Sequence, residues 1–212
     1  MIEVRDLPAL ERQPALREAM HQQRFRAFKL RHGWDVASIN GFEIDQFDRV
    51  SANPIYLLAR GPSGNLLGSC RLLQMSGPNM LHDVFRRHTE GLDLPRDPGL
   101  WECTRYTVEP RPGRHQVDPS VAAALFAALC EWGIPRGITA SAGMTDVAIV
   151  RFMRRLGIDT TWVSDPIQIG ETKTVVARFE ISQKAYERIL ATMQLEKPVI
   201  AIDLTSYQRS AA

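Results

Sequence analysis

Cysteine is scarce in this chain: three in 212 residues, at Cys70, Cys103 and Cys130. An odd number, widely spaced and without a C-x-x-C pair, excludes a disulfide framework and reads as free buried thiols in a reducing compartment. Charge of one sign is also lacking. With 26 basic against 24 acidic side chains, the net charge is +2 and the pI near 8.5. That is too little for a dedicated nucleic-acid binder, though it allows a local basic patch. Long apolar runs are missing too. The longest, Val121 to Cys130, is too short to cross a bilayer. The opening Met-Ile-Glu-Val-Arg-Asp has no apolar stretch of the kind a signal peptide needs. A soluble, cytoplasmic protein with no membrane or nucleic-acid partner is expected. The five histidines (His21, His32, His82, His88, His115) show no metal-ligand spacing, so no metal is expected. The chain also contains no G-x-S-x-G, Walker loop or G-x-G-x-x-G.

What is present is an ordinary globular composition, 44% hydrophobic and 24% charged, in a length that suits one domain with a full core. Ala15 to His32 reads as an amphipathic helix, with Leu16, Ala19, Gln23 and Ala27 roughly on one side and Gly33 as its stop. A polar stretch follows to Asn53-Pro54. Ile55 to Ala59 and Leu66 to Met75 are strands joined by the turn Gly61-Pro62-Ser63-Gly64-Asn65, hence a hairpin. A short helix is expected over 80–87, a loop over 92–99 and a strand over 100–108. Helices follow over 119–132, from a Thr145 cap to Leu156, and after a Ser182 cap. Strands over 138–143 and 174–181 lie between them. The tail from Glu196 carries Val199-Ile200-Ala201-Ile202, which has the composition of one more strand and no assigned function. This alternation predicts a single α/β domain with a mixed sheet. It divides into an N-terminal helix and acidic loop (15–50), a core (51–195) and a tail (196–212).

Core packing does not account for one set of charged and aromatic residues. They are Arg24, Phe28 and Trp34, then Asp45 and Asp48 in the run Gly-Phe-Glu-Ile-Asp-Gln-Phe-Asp, then Arg71, Phe85 and Trp101-Glu102-Cys103-Thr104-Arg105. Glu102 and Arg105 sit in a strand that buries one face, where charges persist only if paired or working. Strand alternation places Glu102, Thr104 and Tyr106 on one face and Trp101, Cys103 and Arg105 on the other. Each charge then needs its own partner, and mid-strand Arg71 is the natural candidate for one of them. Such a pair either ties strands together or belongs to a working cleft. Glu43, Asp45 and Asp48 match no EF-hand spacing; they read as a solvated acidic loop or as a reader of cations. Arg24, Phe28 and Trp34 suit a helix with core aromatics, and equally a pocket for a cation or an adenine. Arg151, Arg154 and Arg155 form either a solvated basic face or a docking patch for an acidic partner.

The order and spacing of these positions, across residues 20–190, resemble the acyl-homoserine-lactone synthases, the autoinducer synthases of bacterial quorum sensing. The resemblance implies a three-layer α/β sandwich of the GCN5-related N-acetyltransferase type. It implies an acyltransferase that moves an acyl group from a thioester, on acyl carrier protein or CoA, to the amine of S-adenosylmethionine. Lactonisation then releases 5′-methylthioadenosine, with no cofactor beyond these substrates. Carried onto this chain, Glu102 is the general base, in a cleft it shares with Arg71. Asp45, Asp48, Arg24, Phe28 and Trp34 line the S-adenosylmethionine site. Thr104 and Thr145 belong to the acyl pocket, as does Phe85 unless it only packs the core, and Arg105 supports the architecture. A carrier protein would present an acidic helix to Arg151, Arg154 and Arg155 if they are a docking patch rather than a solvated face. Thr104 stands where the family usually has Ser, and a monomer is expected. Two other readings remain at this point. An acetyl-CoA-dependent N-acetyltransferase of the same fold would need an Arg/Gln-x-x-Gly-x-Gly/Ala loop, which the segment from Val108 to Ser120 lacks. The second is a ligand sensor without turnover. Acyl length, branching, C3 oxidation and the carrier are not specified by the sequence.

Overall fold

The computed structural model describes residues 1–111, 113 and 116–205; His115 and the end of the tail lie outside them. In chain order the elements begin with β1 (Ile2–Asp6), α1 (Leu7–Glu11), α2 (Pro14–Arg24) and a π-helical segment (Phe25–Arg31). A small hairpin, β2 (Ser38–Ile39) and β3 (Phe42–Glu43), leads to β4 (Ile55–Arg60), β5 (Leu66–Gln74), α3 (Met80–Asp83) and α4 (Arg86–Thr89). Then come β6 (Leu100–Val108), α5 (Pro119–Gly133), β7 (Ala140–Asp146) and α6 (Val147–Arg155). The chain finishes with β8 (Thr160–Trp162), β9 (Ile167–Ile169), β10 (Thr172–Glu180), α7 (Gln183–Met193) and β11 (Ile200–Leu204).

The main sheet runs β11-β1-β4-β5-β6-β7-β10-β8, with β9 added to β10. Its β1–β11 and β6–β7 pairs are parallel and the others antiparallel, so the sheet is mixed as expected. Period-2 alternation builds the layers. Ile55 and Leu57 of β4 face α5, whereas Tyr56 and Leu58, at the alternate positions, face α1 and α2. α5, α6 and α7 cover one face over the larger core. The N-terminal helices and α3 cover the other. Among the described residues no helix is long and apolar enough to cross a membrane.

Three local features differ from the expected pattern, and two others follow it. The helix over 15–32 is α-helical only to Arg24, then widens into a π turn in which His32 N–H donates to Ala27 C=O at 3.0 Å. The helix over 80–87 is two separate single turns. Thr145 does not cap α6. Pairing opposite Val175 holds Thr145 in β7, and the Asp146 carboxylate accepts the Ala148 N–H at 2.7 Å, a charged acceptor at the positive end of the helix. The tail does form a strand, β11, and Glu131 anchors it by accepting the Val199 N–H at 2.8 Å and the Tyr186 hydroxyl at 2.6 Å. Ser182 caps α7 as expected, accepting from Ala185 N–H at 3.1 Å.

The feature that makes room for a site is a fork in the sheet. β6 and β7 pair only from Leu100–Ala140 to Glu102–Ala142 and then separate. Gly143 lies where they part. A Cβ there would fall 2.5 Å from the Cys103 carbonyl oxygen, so only glycine allows this approach.

Candidate functional site

The site is built around an irregularity in β6. Arg71 pairs with Thr104 and Ser69 with Thr107, so β6 carries one residue more than β5 between these pairs. Arg105 sits in that bulge with φ +55°. The extra residue resets the alternation. Glu102, Thr104 and Arg105 all face the N-terminal layer, and Tyr106 swings to the other side, where its hydroxyl donates to the Ala122 carbonyl of α5. The expected opposition of Glu102 and Arg105 is therefore corrected, because regular alternation does not survive a bulge.

Three arginines and three carboxylates interlock beneath this face. Asp48 receives both Arg24 terminal nitrogens at 2.9 Å, Arg71 at 2.8 Å and the Tyr56 hydroxyl at 3.0 Å. Asp45 takes a bidentate Arg71, at 2.6 and 2.8 Å, and Arg105 at 2.8 Å. Glu43 is 0% exposed and joins Arg24 to Arg105, the latter at 2.9 Å. Of the two readings of this loop, the solvated one is corrected: its three carboxylates belong to a largely buried ion network. Burial alone would raise the Asp45 and Asp48 carboxyls. The guanidiniums beside them, Arg71 and Arg105 for Asp45 and Arg24 and Arg71 for Asp48, outweigh it and hold both below the usual range. These acids stay ionised.

Glu102 follows the opposite rule. It is 1% exposed and accepts the Met80 N–H at 2.7 Å at the start of α3. Arg71 does not bond to it; its terminal nitrogens point to Asp45 and Asp48 instead. Burial pushes the Glu102 carboxyl up to about 7, with the Met80 amide and the more distant charges of Arg71 and Arg105 opposing it only in part.

Two cavities open on this face. The smaller, about 350 Å³, is lined by Trp34, Asp45, Phe47, Met80, Phe85 and Arg105, among others. The larger, about 610 Å³, fills the fork between β6 and β7. Phe28, Thr104 and Thr145 line it, and Phe126, Ile149, Met153 and Phe179 give it an apolar wall. Trp34, Phe85 and Arg105 belong to both, so the two spaces meet at these three side chains. Phe28 stacks near Trp34 with centroids 5.3 Å apart, and the Arg105 guanidinium lies 5.4 Å over the Phe28 ring.

The comparisons with known proteins agree with this architecture. Residues 9–189 match the family model described as autoinducer synthase. The chain belongs to the autoinducer synthase family.

An acyl-homoserine-lactone synthase of Rhizobium radiobacter is 31% identical over 198 residues, covering 91% of each chain. A crystal structure of the synthase LasI superposes with a TM-score of 0.79 at 26% identity, over 90% of this chain and 94% of that one. The CoA-dependent synthase BjaI, solved with S-adenosylmethionine and isopentyl-CoA, gives a TM-score of 0.83 over 99% of this chain and 95% of its own. At 21% identity it speaks for the fold alone. An acyl-CoA N-acyltransferase from Pseudomonas aeruginosa shares the fold more distantly, with a TM-score of 0.55 at 15% identity over 84% of this chain and 97% of that one.

Against this autoinducer-synthase frame, the structure sorts the residues singled out by sequence. Trp34, Asp45, Phe85, Thr104, Thr145, Arg105 and Phe28 reach cavity walls. Arg24, Arg71, Asp48 and Glu102 do not; they lie just behind, in the ion network and under α3. Arg151, Arg154 and Arg155 are exposed on α6, whose other side presents Ile149 and Met153 to the larger cavity. Sequence reasoning passed over Glu43, set aside with the loop, and Met80, whose sulfur lies 3.0 Å from the Thr104 hydroxyl and 3.2 Å from Arg105. No sequence pattern marks Met80, because its contact with Arg105 depends on the β6 bulge.

Proposed function

We propose that this synthase carries out the lactone-forming reaction of its family, with S-adenosylmethionine in the smaller cavity and the acyl chain of a thioester in the larger. The observation that carries the reading is the shared wall of Trp34, Phe85 and Arg105, which brings an ionised carboxylate, Asp45, beside an apolar fork. A sulfonium and an ammonium suit the low-pKa Asp45, and Trp34 offers an aromatic face to a cation or an adenine. The apolar wall of Phe126, Ile149, Met153 and Phe179 suits an acyl chain.

The amine must lose a proton before it attacks the thioester carbonyl. Glu102, held near neutrality by burial, has the matched basicity for that step. It lines neither cavity. The proton therefore reaches it through a water rather than by direct contact. The carboxylate of the acylated intermediate then attacks its own γ-carbon and expels 5′-methylthioadenosine. The sulfonium is already a good leaving group, so the protein's contribution is to fold the chain for ring closure. The donor is an acyl-phosphopantetheine, carried by acyl carrier protein or CoA, and the exposed arginines of α6 favour an acidic carrier. Incubation with S-adenosylmethionine and acyl thioesters tests the reading. Methylthioadenosine and an acyl-homoserine lactone are expected by mass spectrometry, and neither product with any donor would sink it.

A further inference from the structure

Most guanidiniums around the cavities are committed to carboxylates. Arg24, Arg71 and Arg105 serve the ion network, and Arg26 bonds Glu109. Arg31 is different. Among the described residues its guanidinium contacts only the Thr107 hydroxyl and the Val108 carbonyl, both at 3.4 Å. Those are long, neutral contacts for a charged fork of donors. Arg31 is half-buried, and desolvation lowers its pKa, with Glu109 opposing only in part. A cation bears that cost without a bonded acid.

Its position gives the cost a purpose. The π-helical segment ends at Arg31, which lines the larger cavity beside His32, Thr107, Val108 and Gln116, at the Val108 end of β6. The apolar wall belongs to the same cavity, so an acyl chain in the fork and a group beside Arg31 would share one continuous space. A planar guanidinium with spare donors suits the oxygens of a phosphate. The sequence after β6, from Val108 to Ser120, contains no glycine-rich loop that would present backbone amides to a phosphate instead.

We infer that Arg31 binds the phosphate of the phosphopantetheine arm of the thioester donor, at the Val108 end of the acyl cavity. The inference rests on the donor reading above. That phosphate is common to acyl carrier protein and CoA, so the contact serves either donor.

The test compares wild type with Arg31→Gln on three donors bearing one acyl group: acyl carrier protein, acyl-CoA and acyl-pantetheine, which lacks the phosphate. Losing a charge-assisted contact raises KM roughly 10- to 100-fold for the two phosphate-bearing donors. KM for acyl-pantetheine and for S-adenosylmethionine stays at the wild-type value, and Arg31→Lys restores part of the loss. A rise confined to acyl-CoA assigns the contact to its nucleotide phosphates and overturns the inference. A rise confined to carrier protein assigns it to the protein surface and does the same. An equal rise with acyl-pantetheine, or any rise for S-adenosylmethionine, also overturns it. Calorimetric binding of phosphopantetheine itself reads the contact without turnover. Should wild type make no lactone from any donor, the proposed function fails. Weaker phosphopantetheine binding by Arg31→Gln would still support the Arg31 contact, and unchanged binding would refute it.

Discussion

Thr104 and Arg105 are neighbours in β6, yet both reach the Met80 sulfur, at 3.0 and 3.2 Å. In a regular strand consecutive side chains point to opposite faces. The bulge cancels that rule at one position and adds a third guanidinium to a loop of three acids. Without Arg105, Glu43 and Asp45 would keep only Arg24 and Arg71 between them, and Glu43 is fully buried. Arg105→Met should therefore destabilise the fold by about 3–5 kcal/mol, the usual cost of stranding a buried charge. Urea unfolding measures it, and a loss below about 1 kcal/mol would show that the network tolerates the deficit.

Glu102 makes a double prediction from one cause. Its carboxyl sits near pH 7 in the fold against 4.5 as a free side chain. As the acylation base it must be ionised, so kcat/KM should rise with pH through about 7. Glu102→Gln keeps the shape and removes the basicity, and turnover should fall roughly 10²- to 10⁴-fold. Stability runs the other way. The raised pKa contributes stability that is fully present below 4.5 and is lost as pH rises to about 7. The Gln variant does not suffer that loss. Relative to wild type it should gain up to about 3 kcal/mol between acidic and mildly alkaline pH. Near wild-type turnover across pH would remove Glu102 from the chemistry, and a stability difference independent of pH would contradict its buried, neutral state.

Asp45 and Asp48 should part company on mutation. Asp45 borders the smaller cavity, while the Asp48 side chain is 2% exposed and serves Arg24, Arg71 and Tyr56. Asp45→Asn should raise KM for S-adenosylmethionine and weaken binding of neutral methylthioadenosine much less. Asp48→Asn should act mainly on melting temperature. Equal loss of affinity for both ligands in Asp45→Asn would make Asp45 structural as well.

The alternation of strands and helices was legible because it follows from local rules, and the site residues were legible through their resemblance to the autoinducer synthases. A short apolar run and the turn Gly61-Pro62-Ser63-Gly64-Asn65 marked the hairpin of β4 and β5, Pro119-Ser120 marked the start of α5, and Ser182 marked the start of α7. What the sequence hid depends on tertiary context. The bulge at Arg105 leaves no trace in composition, and it decides which charges share a face. Thr145 and Asp146 are equally good caps on paper, and only pairing with β10 selects between them. The ion pairs of the acidic loop were hidden because its three partners come from α2, β5 and β6, far apart in sequence.

Gly143 controls the opening of the fork. In Gly143→Ala the new methyl would meet the Cys103 carbonyl at 2.5 Å, and neither group is the end of a flexible chain. β7 must move, so stability should fall by about 1–3 kcal/mol and the ranking of acyl-chain lengths should change. A variant with wild-type melting temperature and acyl preference would show that the strands part without help from this glycine.

Arg151 and Arg155 lie exposed on α6, with Ile149 and Met153 of the same helix in the wall of the larger cavity. A carrier docked on the outer face would thus sit one helix away from the space proposed for its acyl chain. Exposed charge pairs are screened by salt, with a Debye length of roughly 8 Å at physiological ionic strength. Reversing both arginines to Glu should raise KM for acyl carrier protein and remove most of its salt dependence. Acyl-pantetheine, which brings no acidic helix, should respond far less. Melting temperature should hold, because substitutions at exposed positions shift stability by no more than about 0.5 kcal/mol. If every donor loses activity together, or the melting temperature drops, the two arginines hold α6 in place instead. A carrier KM that is indifferent to both salt and charge reversal would make this a solvated face and move the docking surface elsewhere.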